Sequence, residues 1–405
     1  MPSRAAQITL SLIALATALA ACGPSGTSTD PINIPDTQVP SATHTPVPSD
    51  TPTATFTPSP TPIPEVSYRI RYNFLDNSYT RGKEIWEYHD FNFDYLNPEI
   101  TKVTLGFNDV LSTRTVDQYG AKFSIPVGDI RNQLITFTVK AYDDEELVGI
   151  STIPNYYLLR LDNRDDIVTE IPESIKDAEY LYIENRIDDL ELLSSLENLK
   201  YLVINYSESY DYSALSNLVN VEHLIIGRTK GRINDLSFTE SMSNLVSLYN
   251  LTSTGIWDFS FLESLPKLEY LSLRGGANIY DSSPLSYLTN LRYLDLAHTP
   301  VTKLEGLENL SNLEYLFLIR SSINNIDSVK NLVSLKEISL FLSDVSDISA
   351  LGYCTNLEVI NVATTSVSDI SSLSTLINLK SLNLFETKVV DLTPLDHLEG
   401  ISISQ

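Results

Sequence analysis

Two cysteines, five histidines and a recurring row of tyrosines are the side chains of this 405-residue chain whose types could do chemistry. The histidines (His44, His89, His223, His298 and His397) are scattered along the sequence. The chain has no G-x-S-x-G, no H-E-x-x-H and no phosphate-binding glycine loop. Paired carboxylates occur throughout so acidic a chain and single out no acid–base couple. The reading is therefore of a protein without catalytic, cofactor or metal chemistry. The tyrosines suggest contact instead, because tyrosine and arginine are the residue types of binding hot spots. With 27 Lys and Arg against 52 Asp and Glu, the formal net charge is −25. That balance repels nucleic-acid phosphates, so nucleic acid is not an expected partner.

Cys22 stands at the end of an apolar start. Arg4 gives a short basic beginning, and Ile8 to Ala21 is apolar or small throughout. At about fourteen residues this stretch is too short to span a bilayer and has the length of a signal-peptide core. It closes on Leu19-Ala20-Ala21-Cys22, which resembles the bacterial lipobox. The resemblance implies cleavage after residue 21 and a lipid-modified Cys22, palmitate included. It also implies an extracytoplasmic protein held to a bacterial membrane at the cell surface. Two or more acyl chains give a stable anchor, where one gives only marginal binding. Residues 22–65 then form a stalk: of residues 23–64, 26 of 42 are Pro, Thr or Ser. Such a segment cannot bury enough surface to fold, and its prolines favour an extended path.

Composition changes at Glu65. Between residues 66 and 155, alternating runs such as Phe91–Tyr95 and Ile135–Ala141 read as strands of a small all-β sandwich. The stretch from Val116 through Phe123 to Ala141 resembles bacterial immunoglobulin-like surface domains, without the cysteine pair of antibody domains. Asp143-Asp144-Glu145-Glu146 reads as an exposed hairpin turn, since no spaced D-x-D-x-D-G pattern supports a calcium loop. Residues 156–177 read as a linker and N-terminal cap.

From residue 178 to 405 the unit L-x-x-L-x-L recurs, as in Leu291-Arg-Tyr-Leu294-Asp-Leu296 and Leu313-Glu-Tyr-Leu316-Phe-Leu318. Starts fall at 178, 199, 221, 245, 268, 291, 313, 335, 357, 379 and 398. A period near 22 residues sustained this long means a solenoid. The array resembles the leucine-rich repeats of bacterial internalins. The resemblance implies an α/β horseshoe with a parallel concave sheet, and binding of a protein through that concave face. The usual asparagine at the ninth position is replaced here by Thr299, Ser321, Ser343, Thr365 and Thr387, whose hydroxyls can do part of its work. Asp347, Asp369 and Asp391 read as caps of short convex-side helices or 3₁₀ turns. Cys354 falls where neighbouring repeats carry leucine, so it reads as core.

If the fourth and sixth positions face the core, the third and fifth face the concave surface. That places Tyr201, His223, Tyr249, Tyr270, Tyr293, Tyr315 and Phe317 there, with Arg228, Arg274, His298, Arg320, Phe341 and Phe385 just beyond. These thirteen form the expected binding face for a protein partner. A glycan is the alternative partner, since aromatic rows also stack on sugar rings. A structural, self-associating envelope scaffold is a third reading.

Overall fold

The computed structural model describes residues 14–16, 68–71, 88–94, 101–107, 110–115, 121–126, 131–163, 165–229, 233–250, 255–256, 258–275 and 282–405. Of 14–16, 68–71, 88–94, 110–115, 121–126, 149, 228–229 and 250 it describes the backbone alone. Cys22 and the stalk at 23–65 lie outside the described residues, as does the apolar start apart from the backbone of 14–16.

One sheet carries the architecture. It begins with antiparallel strands Val110–Thr115, Lys102–Phe107, Leu134–Asp143 and Glu146–Leu159. It continues without interruption into parallel strands: Tyr180–Ile187, Tyr201–Ser207, His223–Thr229, Ser247–Asn250, Tyr270–Ser272, Tyr293–Asp295, Tyr315–Phe317, Glu337–Ser339, Val359–Asn361, Ser381–Asn383 and Ser402–Ser404. This is a leucine-rich repeat solenoid with one short strand per repeat. A second, antiparallel sheet includes Tyr68–Arg71, Tyr88–Asp94 and Ala121–Pro126.

The hinge between the two strand arrangements is Glu146–Leu159. Along one edge it pairs antiparallel with Leu134–Asp143, and along the other it pairs parallel with Tyr180–Ile187. Tyr156 lies opposite Tyr180, and Leu159 opposite Ile183. Residues 156–159 thus occupy the third to sixth positions of an extra repeat ahead of the first one seen in the sequence. The boundary expected between residues 155 and 156 falls inside this single strand.

From Tyr201–Ser207 onward the repeat register is uniform. Tyr270 pairs with Tyr293, Tyr293 with Tyr315, Tyr315 with Glu337 and Glu337 with Val359, third position over third position. At the far end Leu382 pairs with Ile403, so the last unit starts at Gly400 and not at Leu398. The leucines of the first, fourth and sixth positions, such as Leu313, Leu316 and Leu318, are fully buried in one continuous core. Full burial of each such side chain contributes roughly 1.5–3 kcal/mol. Cys354 belongs to this core. Its Sγ donates to the Val329 carbonyl at 3.3 Å, and burial pushes the thiol up to about 12.

The convex side is built of 3₁₀ helices, such as Ser349–Tyr353 and Ser371–Thr375. The aspartates expected to cap them do so from just ahead of the helix. Asp347, Asp369 and Asp391 each accept from the amide two residues on, at 2.8, 2.8 and 2.9 Å. Those amides, with the following hydroxyls, hold Asp369 and Asp391 below the usual carboxylate range. The ninth-position hydroxyls bond locally: Thr299, Ser321, Thr365 and Thr387 donate to the carbonyl three residues back at 2.6 to 2.8 Å.

Between strand and ninth position, the chain turns through a left-handed residue. Gly275 adopts it at φ 69°, and His298, Arg320, Leu342, Thr364 and Glu386 adopt it at 53–61°. For a β-branched residue this conformation is strained. Thr364→Gly is expected to stabilise the fold by about 1 kcal/mol, and the reverse change Gly275→Thr to destabilise it by a similar amount. Urea unfolding of the two variants against the parent checks both signs.

Candidate functional site

The concave face divides in two. Tyr201, His223, Tyr249, Tyr270 and Tyr293 are buried, with Tyr249 and Tyr270 at 0% exposure. They were expected to be accessible. Instead, the four tyrosines, with Val203 and Ile225, belong to one apolar cluster with Val103, Phe107, Phe137, Val139, Ile153, Tyr156 and Leu158. The cause is the continuity of the sheet. Strands of the N-terminal region and of the first repeats share one face, so their apolar side chains merge into one core. Rings follow one another along it. Phe107 meets Phe137 edge-on at 5.2 Å, and Phe137 meets Tyr156 at 5.4 Å. Tyr180 stacks on Tyr201 at 5.7 Å, and Tyr201 contacts the His223 ring at 5.3 Å.

His223 is the polar member of this core. Its Nδ1 hydrogen-bonds with Ser247 Oγ at 2.8 Å, while its Nε2 is buried without a hydrogen-bond partner. Burial pushes the imidazole down to about 3, so it is neutral at neutral pH.

Beyond Tyr293 the face opens. Tyr315 and Phe317 are half-buried and lean on the Tyr293 ring, at 6.4 and 5.4 Å. Phe341 is half-buried and Phe385 is 50% exposed. At the turns ending the strands, His298 and Arg320 are exposed and Arg274 is half-buried. Of these, Arg274 approaches the buried Asp295. Its Oδ1 accepts from the Ala297 amide at 2.8 Å, and its Oδ2 lies 3.8 Å from Arg274 Nη1. Burial raises the Asp295 carboxyl, opposed by Arg274 and the Ala297 amide. Burial lowers the His298 imidazole, and Arg274 and Arg320 add to the effect. The Arg228 side chain lies outside the described residues. Of the expected face, the structure therefore brings Arg274, His298, Tyr315, Phe317, Arg320, Phe341 and Phe385 to the accessible side and puts five residues in the core.

Polar groups on the open part had not been singled out from sequence. Asn361 and Asn383 sit side by side in register. Their Oδ1 atoms accept from the Ala363 and Phe385 amides, both at 3.1 Å, which leaves their amide nitrogens as donors. Glu337 and Ser339 lie on the strand between Phe317 and Asn361. The 22-residue spacing places both asparagines at the fifth position, on the concave side, although the expected binding face did not include them.

Sequence reading also missed two ladders along the edges of the array. At the second position, Lys200 pairs with Glu179 at 2.7 Å, Arg292 with Glu269 at 3.9 Å, Lys336 with Glu314 at 2.8 Å and Lys380 with Glu358 at 2.6 Å. Arg292 also bridges to Glu314. Just before each unit, Asn220, Asn290, Asn312, Asn356 and Asn378 donate to a carbonyl one repeat earlier at 2.8 to 3.0 Å.

Comparison with known proteins bears on the fold. A family described as Leucine Rich repeats (2 copies) matches residues 289–334. No curated protein matches the sequence. Among solved structures, the chain is similar to the functional domain of InlJ from Listeria monocytogenes. That likeness has 18% identity and a TM-score of 0.50, and covers 64% of this chain and 57% of that one. It is also similar to the internalin InlF of Listeria monocytogenes str. 4b F2365, at 24% identity and a TM-score of 0.47 over 59% of this chain and 85% of that one. A third likeness, to internalin C2 of the same strain, has 27% identity and a TM-score of 0.44 over 47% of this chain and 83% of that one. The repeat match and the InlJ likeness agree with the strand ladder on a leucine-rich repeat solenoid.

The buried imidazole makes a prediction about acid. An unfolded histidine takes up its proton near pH 6.5, whereas His223 in the fold does so only near 3. The unfolded state thus binds more protons between those values, and stability is lost as pH falls from 6.5 toward 3. By linkage the loss is at most roughly 4–5 kcal/mol. His223→Gln is expected to flatten that part of the stability–pH curve, measured by urea unfolding at pH 7, 5 and 4. An unchanged slope would refute the assignment.

Proposed function

We propose that this chain is a bacterial surface lipoprotein whose repeat array binds a protein partner through the accessible, C-terminal part of its concave face. The carrying observation is the contrast within that face. Its first half is closed into the core, while Tyr315 and Phe317 on the strand ladder, and Phe341 and Phe385 in the turns just beyond it, stay at least partly exposed. Exposed aromatic groups beside amide and guanidinium donors are what a binding surface needs and what a purely structural sheet does not. Short strands locked by core leucines hold those side chains in fixed positions, which lowers the entropy lost on association.

The lipid on Cys22 would hold this array to the membrane, and the proline-rich stalk would lift it away from the surface. The strongly acidic balance favours partners with a positive surface.

Two measurements test the two halves of this reading. In a bacterial host, Cys22→Ser is expected to move the protein from the membrane fraction to the soluble one and to abolish incorporation of an alkyne fatty acid. Retention of label would sink the anchor. Separately, Phe341→Ser with Phe385→Ser should reduce retention of surface proteins on the immobilised chain by about 10-fold or more, as loss of hot-spot aromatics does. Equal retention by the parent and a double variant with unchanged circular dichroism would rule out this part of the face.

A further inference from the structure

Glu337 stands apart from the other acids of the strand ladder. Glu179, Glu269, Glu314 and Glu358 at the second position each have a basic side chain one repeat away. Glu337, at the third position, faces the concave side, since Ile338 next to it is fully buried in the repeat core. It is half-buried, and among the described residues no hydrogen bond or ion pair reaches its carboxylate. Burial alone raises its pKa. An unpaired, partly desolvated carboxylate costs stability. Two residues on, the Ser339 hydroxyl faces the same side. It is 4% exposed, and its Oγ has no hydrogen-bond partner.

The flanking strands complete the surroundings. Register places Tyr315 beside Glu337 and Phe317 beside Ser339 on one side, and Val359 and Asn361 on the other. The group is thus a carboxylate and an unsatisfied hydroxyl acceptor next to two aromatic rings.

We propose that Glu337 and Ser339 seat a lysine or arginine side chain presented by a protein partner, a reading that rests on the concave-face function above. Both side chains offer oxygen acceptors, and a lysine ammonium brings three donors and no acceptor. Aromatic rings within about 6 Å add attraction for a cation. An anionic group would meet the carboxylate and be repelled. A neutral apolar group would leave Glu337 and Ser339 desolvated and unpaired. At long range the net charge of −25 steers a basic surface toward this one.

The test uses the full chain and an array of decapeptides in matched pairs: each lysine peptide beside its norleucine counterpart, and each arginine peptide beside its citrulline counterpart. The parent is expected to favour the cationic member of the pairs it binds. Glu337→Gln is expected to weaken those cationic peptides by about 10-fold or more and to leave the neutral ones unchanged. Ser339→Ala is expected to weaken them by a smaller factor. Glu263→Gln, an equal change in net charge on the exposed convex helix Ser260–Ser264, should have little effect. Glu337→Gln should also raise Tm, because it removes an unpaired charge, so lost binding cannot be blamed on unfolding. The proposal fails if the two glutamine variants behave alike or if the parent does not distinguish the paired peptides. If Glu337→Gln binds normally while the Phe341 and Phe385 double variant does not, the face stands and the cation seat falls. If both bind normally, the face falls with it.

Discussion

Everything in this molecule depends on how one strand, Glu146–Leu159, divides its side chains. Tyr157 and Leu159 enter the core of the repeat array, while Tyr156 and Leu158 enter the apolar cluster on the opposite face. Alternation at period two makes this possible, since neighbouring residues on a strand point to opposite sides of the sheet. A solenoid cannot close its own first repeat, because each repeat buries its apolar face only against its neighbours. Here the closure is a strand already fixed by antiparallel pairing to Leu134–Asp143. The repeats therefore grow from an edge whose register is set before the first L-x-x-L-x-L unit. Every later strand inherits that register.

The same shared strand explains why burial of the concave face fades along the array. Near the joint, the face continues the core of the N-terminal strands and is lined by Val203, Ile225, Tyr249 and Tyr270. Farther along it changes character. The fifth position becomes Asp295, Phe317, Ser339, Asn361 and Asn383, and the third becomes Glu337, Val359 and Ser381. Apolar residues give way to polar ones where the core gives out.

That gradient marks what could be read from sequence. The leucine positions, the aspartate caps, the hydroxyls of the ninth position and the core place of Cys354 are local or periodic, and periodicity reports them directly. The extra repeat was hidden because proline and tyrosine, at Pro154 and Tyr157, stand where leucine stands elsewhere. The last unit was misplaced by two residues because Leu398 imitates a first position that Gly400 occupies. The tyrosine row failed for a different reason. Spacing says that Tyr201, Tyr270, Tyr293 and Tyr315 share a face, but period says nothing of how much of that face is buried. Tyr270 and Tyr315 hold the same position in the repeat, yet one is fully buried and the other is not. Only the tertiary neighbours separate them.

The ion pairs sharpen the meaning of what is left open. Exposed pairs such as Lys380–Glu358 contribute little each, about 0.2–1 kcal/mol. Their regular alternation nevertheless shows that this acidic chain places its few cations where acids recur: Lys200, Arg292, Lys336 and Lys380 all lie at the second position of their repeats. Arg274 serves the buried Asp295 in the same way. The half-buried Glu222 makes no close ion pair but lies within the field of Lys200 and Lys267, whereas burial alone acts on Glu337. Folding gains nothing from desolvating that carboxylate, and glutamine would fill the same space at lower cost. Stability therefore does not account for Glu337. The accessible face on which it sits is where a compensating contact can be made, and a cation is the contact that best suits a carboxylate.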